Sequence, residues 1–306
     1  MTARPQPRCA VIGVVGRASV GKSTLVNRLV GEKISIVSPV PQTTRNTIRG
    51  VLTDRRGQLV LVDTPGLHKS ESPLGTLMNR MARHAAANAD ALLLVFDGSH
   101  PPAIEDDGWM RRALFAEQPV VCFVNQCDRD GFDAARYEAL WHRVEQEKGT
   151  ARAVRWIPGS ACRGDNLPAL ADALFGLAAP APALLFPPDT VTDYPRRLAI
   201  ADVVREKLFD KLQQELPHEV GVRVDEIREQ GRAWRAEVSI LVARPSQKPI
   251  VIGPKGRTLR HVKRAAGPEI GAMFDADVEL ALWVRVEKDW PRNFWLLRQM
   301  GYAGER

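Results

Sequence analysis

The sequence has little of what secreted, disulfide-stapled or membrane-embedded proteins need. Its 306 residues include four cysteines, Cys9, Cys122, Cys127 and Cys162, with no CxxC pair and no metal-type spacing against histidine. That pattern argues against a disulfide framework or a zinc site, and for reduced thiols in or near buried strands. The opening stretch MTARPQPRCAVIGVVG contains arginine, but Gly13 and Gly16 break its apolar run almost at once. It therefore lacks the hydrophobic region of a signal peptide. No later run approaches the ~20 apolar residues of a membrane span. These absences predict a soluble, cytoplasmic chain. Repeats and low-complexity tracts are missing too.

What is present fits two globular domains. The length exceeds one typical domain of ~100–200 residues, and 44% apolar content gives each half a core. A formal charge of +7 points to an anionic partner as a matter of electrostatics. The first half alternates short β-branched runs (Cys9 to Val15, Gln58 to Val62, Ala91 to Phe96, Val120 to Asn125, Ala153 to Ile157) with helical patterns. That alternation predicts an α/β fold, a doubly wound and mainly parallel sheet covered on both faces, over residues 1–180. Residues 181–195 are crowded with proline and read as a linker. Beyond them, residues 196–306 combine a long helical stretch, alternating runs and a glycine-bounded turn, which predicts an α+β module.

The first strand runs into Gly16-Arg-Ala-Ser19-Val-Gly21-Lys22-Ser23-Thr24, a complete GxxxxGKS loop opening a helix. Such a backbone wraps phosphate with N–H groups, and the helix N-terminus adds a favourable dipole. Lys22 is expected to reach the β- and γ-phosphates, and the Ser23 hydroxyl to bind Mg²⁺. The next strand ends in Asp63-Thr64-Pro65-Gly66. Asp63 is placed to hold Mg²⁺ through water, and the Gly66 N–H to meet the γ-phosphate. Between the motifs, Gln42-Thr43-Thr44-Arg45 lies in a polar loop. One of its threonines, with Thr44 favoured over Thr43, is expected to close onto Mg²⁺ in the triphosphate state. Lys22, Thr44 and Gly66 are thus the expected catalytic set, and Ser23, Thr44 and Asp63 the metal set.

A phosphate loop alone does not choose a base. Here the strand Val120 to Asn125 runs into Asn125-Gln126-Cys127-Asp128. The Asp128 carboxylate can accept from both N1–H and the exocyclic amine of guanine, whereas adenine would leave the charge unanswered. Asn125 braces the loops, and Ser160-Ala161 offers a backbone N–H to the guanine O6. Gln126 stands where such a loop usually has lysine, whose stem lies along the base and whose amine helps tie the phosphate loop. Leu67 and His68 follow the DTPG motif. Leucine cannot polarise water, so slow intrinsic GTP hydrolysis is expected. His68 is either a candidate base or a solvent-facing residue.

Taken together, GRASVGKSTLVNRLVGEKISIVS, QTTRNTIRG, DTPGLHK and NQCD, then REKL, ELPHEV, VIGPKGRTL, ELALWVRV and LRQMGY, resemble the Era family of ribosome-associated GTPases across nearly the whole chain. The resemblance implies a GTPase domain followed by a type II KH domain, with GTP/GDP and Mg²⁺ as cofactors. It also implies binding of small-subunit ribosomal RNA, a role in maturation of the small ribosomal subunit, a monomeric state, and peripheral association with the inner membrane face. Ser19 replaces an asparagine that helps related proteins bind a monovalent cation, which puts potassium activation in question.

The RNA-binding reading has its own residues. A KH module clamps nucleic-acid backbone with a GXXG loop between two helices. Gly253-Pro254-Lys255-Gly256 fits, and it lies in a stretch from Val238 to Pro268 without a single Asp or Glu. Arg257, Arg260, Lys263 and Arg264 follow within that stretch and suit phosphate contacts. Ile250, Val251, Ile252 and Leu259 could line base pockets or belong to the core, and Trp283 reads as packing.

Overall fold

The computed structural model describes residues 6–38, 40, 43–68, 72–212 and 216–302. Gln42, Lys69 and Glu215, each part of a motif quoted above, lie outside the described residues. The chain divides into two compact units, and neither is one continuous length. The first comprises Met1–Ser35, Thr44–Glu71 and Met78–Asp193. The second comprises Ile36–Thr43, Ser72–Leu77 and Tyr194–Arg306.

In the first unit, strand β1 (Arg8–Val15) is buried along nearly its whole length because the sheet is covered on both faces. The sheet order is β2-β3-β1-β4-β5-β6, with β2 (Ile48–Asp54), β3 (Gly57–Asp63), β4 (Ala91–Asp97), β5 (Val120–Asn125) and β6 (Arg155–Pro158). All neighbours are parallel except β2 on β3. The two-residue β7 (Ala179–Pro180) pairs antiparallel with the start of β1. Parallel strands need crossovers: α2 (Pro73–Ala87) leads from β3 to β4, α3 (Ile104–Leu114) from β4 to β5 and α4 (Ala135–Lys148) from β5 to β6, while α1 (Lys22–Val30) leads from β1 to the antiparallel β2 and α5 (Leu167–Leu177) from β6 to β7. Because β1, β3, β4 and β5 run the same way, their C-terminal ends share one edge. That edge carries the phosphate loop, Asp63, Asp97 and Asn125, the usual place for a ligand in such a sheet.

Strand β2 has no counterpart in the sequence reading. It is a mixed edge strand in which Ile48, Gly50 and Val51 are buried while Arg49 is exposed, so its apolar run is too broken to register as a strand.

The second unit contains α6 (Arg196–Phe209), β8 (Val220–Gln230), β9 (Ala233–Val242), α7 (Gln247–Ile252), α8 (Arg257–Phe274), β10 (Asp277–Val286) and α9 (Phe294–Gln299). Its sheet order is β10-β9-β8. β8 and β9 form an antiparallel hairpin, and β10 returns parallel to β9 after the two helices. Val204, Val222, Ile240, Val262, Ile270 and Leu280 form its core, which also takes in Ile36. Beside it lies a buried charge network. The Arg205 guanidinium, 1% exposed, pairs with Asp202 at 2.7 Å and donates to the Tyr302 hydroxyl and the Thr43 carbonyl, both at 2.9 Å. Removing one partner of such a buried pair typically costs about 3–5 kcal/mol.

Candidate nucleotide site and nucleic-acid groove

At the phosphate end, Ser19 and Gly21 take left-handed backbone (φ 64° and 93°). This curls the loop so that successive N–H groups can face one concavity, an anion nest. The Lys22 amine lies inside it, donating to the carbonyls of Arg17 at 2.9 Å and Gly16 at 3.2 Å. Burial pushes its pKa down to about 8, while Asp63 pulls the other way. Asp63 is itself fully buried, and desolvation raises its pKa against the opposing Ser23 hydrogen bond and the Lys22 charge.

The three residues expected at the metal come together. Ser23 Oγ donates to Asp63 Oδ2 at 2.6 Å and lies 2.8 Å from Thr44 Oγ1. Of the two threonines only Thr44 lies beside Ser23, and Thr43 Oγ1 donates to the Val40 carbonyl instead. Asp63 Oδ1 is buried without a hydrogen-bond partner among the described residues. An orphan carboxylate oxygen beside two hydroxyls is an all-oxygen donor set and fits Mg²⁺ better than a softer metal. Among the described residues no three His, Cys, Asp or Glu side chains group as a metal centre, so the fit depends on the hydroxyls.

Gly66 packs on the phosphate loop, where a Cβ would come within 2.5 Å of Ala18 Cα. Leu67 is buried and exchanges backbone bonds with Gly16 and Ala18, each at 3.2 Å. Its side chain therefore has neither the chemistry nor the exposure to orient water. His68 does not face solvent as a free side chain. Its Nδ1 lies 3.1 Å from the Gly66 carbonyl, which can only accept, so Nδ1 carries the proton. The acceptor nitrogen Nε2 is buried without a partner among the described residues.

At the base end, Asn125 acts as a brace. Its amide donates to the Val20 carbonyl at 2.7 Å, and its oxygen accepts from Ala161 N at 2.9 Å. Asp128 is exposed, and a Ser160 hydroxyl bond holds its pKa below the usual carboxylate value. The Ser160 N–H goes to Asp165 and that of Ala161 to Asn125. The backbone donor assigned to guanine O6 therefore has a protein partner that the base must displace or share. Gln126 has left-handed backbone (φ 71°) and is almost fully buried.

In the second unit, Gly253, Lys255 and Gly256 all have positive φ (74°, 50° and 72°). Gly253 admits no side chain, since a Cβ would strike Thr258 Oγ1 at 2.2 Å. Immediately after this loop begins a groove of roughly 1310 Å³. Arg257, Arg260, Lys263 and Arg264 of α8 line it, as expected of a phosphate wall. The sequence reading missed the opposite wall, where Asp275, Asp277, Val278 and Glu279 lead into and form the start of β10. Lys263 reaches across to Glu279 at 3.6 Å. Of the candidate base-pocket residues, Val251 is core and Ile252 and Leu259 pack against the core, whereas Ile250 is 59% exposed. Trp283, read as packing, is 56% exposed instead, because its strand position points away from the core face that Leu280 and Val284 occupy.

Residues 11–126 match the 50S ribosome-binding GTPase family and residues 207–291 the KH domain family. The chain is 35% identical to the GTPase Era of Staphylococcus haemolyticus over 96% of its length and 97% of that protein. It is 36% identical to that of Halothermothrix orenii, over 96% of this chain and 98% of the relative. Two solved structures superpose at 31% identity, each covering 97% of this chain and 99% of the other. One is Era with MgGDPNP and nucleotides 1506–1542 of 16S ribosomal RNA, with a TM-score of 0.88. The other is an Aquifex aeolicus Era variant bound to GDP.AlF4-, with a TM-score of 0.86.

Proposed function

Because the chain belongs to the Era family of GTPases, we propose that it is a GTP-driven switch whose output is RNA binding in the assembly of the small ribosomal subunit. The convergence of Ser23, Thr44 and Asp63 beside the Lys22 amine carries this reading. Mg²⁺ held there neutralises charge on the β- and γ-phosphates. Lys22 supplies a fixed positive charge on the same side, and the curled loop supplies N–H donors. Asp128 selects guanine by accepting two hydrogen bonds that adenine cannot offer.

Hydrolysis is slow because the position after Gly66 is filled by the buried Leu67, so water positioning needs another group. His68 Nε2 is an acceptor within this segment. The switch reaches the second unit through the chain itself. Thr44 belongs to the first unit, while Thr43, next in line, belongs to the second and is held there by Arg205. Any movement of Thr44 on loss of the γ-phosphate therefore pulls on a peptide fixed in the RNA-binding unit.

The groove beside the glycine loop takes the RNA, with phosphates on the α8 cations and bases toward β10. The partner is small-subunit ribosomal RNA, and the protein works as a monomer in the cytoplasm. Peripheral attachment at the inner membrane face would use exposed cations of the stretch from Val238 to Pro268, such as Lys255 and Arg260. Among the described residues no helix is long and apolar enough to cross a membrane. Fluorescence anisotropy of a labelled RNA covering the small-subunit 3′ end tests the switch. Tighter binding with a GTP analogue than with GDP is expected, and equal binding in both states would overturn it. Cosedimentation with anionic vesicles tests membrane attachment separately.

A further inference from the structure

The guanine loop and the phosphate loop must hold a fixed separation if one nucleotide is to span them. They stand at the ends of β5 and β1, and β4 lies between those strands. Asn125 makes one direct tie, to the Val20 carbonyl; a second tie, from position 126, has to pass the C-terminal end of β4, where Asp97 faces Asn125 in register. A lysine at position 126 would make that tie with one charge. Here the residue is Gln126.

We propose that a relay of four side chains, Gln126, Ser99, Asp97 and Arg17, replaces the lysine and holds the guanine loop to the phosphate loop. This rests on the reading of the first unit as the nucleotide site. Ser99 Oγ donates to Asp97 Oδ1 at 2.6 Å. Gln126 Oε1 lies 3.0 Å from the same Oγ and accepts from it. The one hydroxyl proton is thus shared between the Asp97 carboxylate and the Gln126 amide oxygen, with the shorter contact on Asp97. Asp97 Oδ2 then receives Arg17 at 3.3 Å and His100 Nδ1 at 2.9 Å. Ser99 thus bridges the amide oxygen and the carboxylate, and Arg17 answers Asp97 from the other side.

The relay ends where it matters. Arg17 is the second residue of the phosphate loop, and its carbonyl accepts the Lys22 amine. Its Nε is held in addition by the fully buried Asp106 at 3.1 Å. The surroundings keep the chain in place: Tyr137 donates to the Asp97 carbonyl at 2.7 Å, and Gly98 N to the Asn125 carbonyl at 2.9 Å. The backbone at Gln126 is left-handed, a conformation unfavourable for a non-glycine residue, and its side chain is almost fully buried. Ser99, Asp97 and Arg17 are positioning residues, since they act on the nucleotide through the two loops.

A double-mutant cycle with fluorescent GDP and GTP tests this. Ser99→Ala should weaken both nucleotides about tenfold, the order expected for one hydrogen bond in a charged network. Single-turnover hydrolysis at saturation should stay within about twofold, and Ser99→Thr should restore affinity. In a Gln126→Lys background the Ser99→Ala loss should vanish, because the amine reaches past the serine. The relay is overturned if folded Ser99→Ala binds like the parent, or if its loss is undiminished beside Gln126→Lys. Asp128→Ala is run alongside. If it leaves guanine preference intact, the base-end reading fails and the relay with it. If preference is lost while Ser99→Ala is silent, the relay alone fails.

Discussion

The proposed nucleotide site and the proposed RNA groove are both charged, yet they are built in opposite ways. In the first, Lys22 and Asp63 are withdrawn from water and each is answered by a small number of fixed groups. In the second, Lys263 and Arg264 stay exposed along a helix face, and the acids opposite them are exposed as well. Burial makes each group in the first site indispensable, because removing it leaves a partner unpaired in a low dielectric. Exposure makes the groove additive, each cation contributing a screened share. Selectivity for a small ligand is concentrated, while grip on a long polyanion is spread out.

Substitutions should separate the two regimes. Lys22→Ala should have the largest effect, lowering single-turnover GTP hydrolysis about 10³-fold, in the range for losing a fixed group at developing charge. A loss under tenfold would place the two sites on one footing. Asp128→Ala should cut the preference for GTP over ATP in a displacement assay by about 100-fold, as expected when a hydrogen-bonded selector is removed.

The buried amine also predicts a pH effect. Lys22 has a value of about 8 against 10.5 for the free side chain. Below pH 8 it is already charged, so phosphate binding needs no proton. Above pH 8 binding must recruit one, and affinity should fall, up to tenfold per pH unit. Calorimetry in buffers of different ionisation enthalpy should show proton uptake at pH 9 and none at pH 7. The nucleotide-free fold should gain stability from Lys22 between about pH 8 and 10.5, because there the unfolded chain holds the proton that the folded one has released.

The smallest single effects belong to the groove. Arg257→Ala, Arg260→Ala, Lys263→Ala and Arg264→Ala should each weaken RNA binding only about three- to tenfold, and each should flatten the logarithmic salt dependence by about 1. Glu279→Gln sharpens the comparison. It removes an acid from the wall, so non-specific RNA should bind somewhat tighter while base selectivity declines.

What could be read from the sequence follows the same division. Lys22, Ser23 and Asp63 were visible because backbone geometry dictates their spacing, and that spacing survives as a string of letters. Thr43 and Thr44 could not be told apart with certainty, since two adjacent hydroxyls in one loop differ only in where the backbone turns them. The Asp97, Ser99 and Arg17 relay was invisible, because its members are brought together by strand order rather than by proximity in sequence. The acidic wall was missed for a different reason. Asp277 and Glu279 alternate with Val278 and Leu280, which is also how any half-exposed strand looks.

The capture of Thr43 and Ile36 by the second unit bears on how the protein can be cut. A fragment beginning at the proline-rich linker would contain α6, all three strands of the smaller sheet and the glycine loop, and would look like a whole domain on paper. It would lack Ile36, leaving a gap in the core, and it would leave one face of the Arg205 guanidinium without the carbonyl that now receives it. The RNA-binding unit is thus completed by a strip of chain made more than 150 residues earlier. During synthesis that strip must wait, unburied, for its destination to emerge, and the piece that binds RNA cannot be lifted out intact with a single pair of scissors.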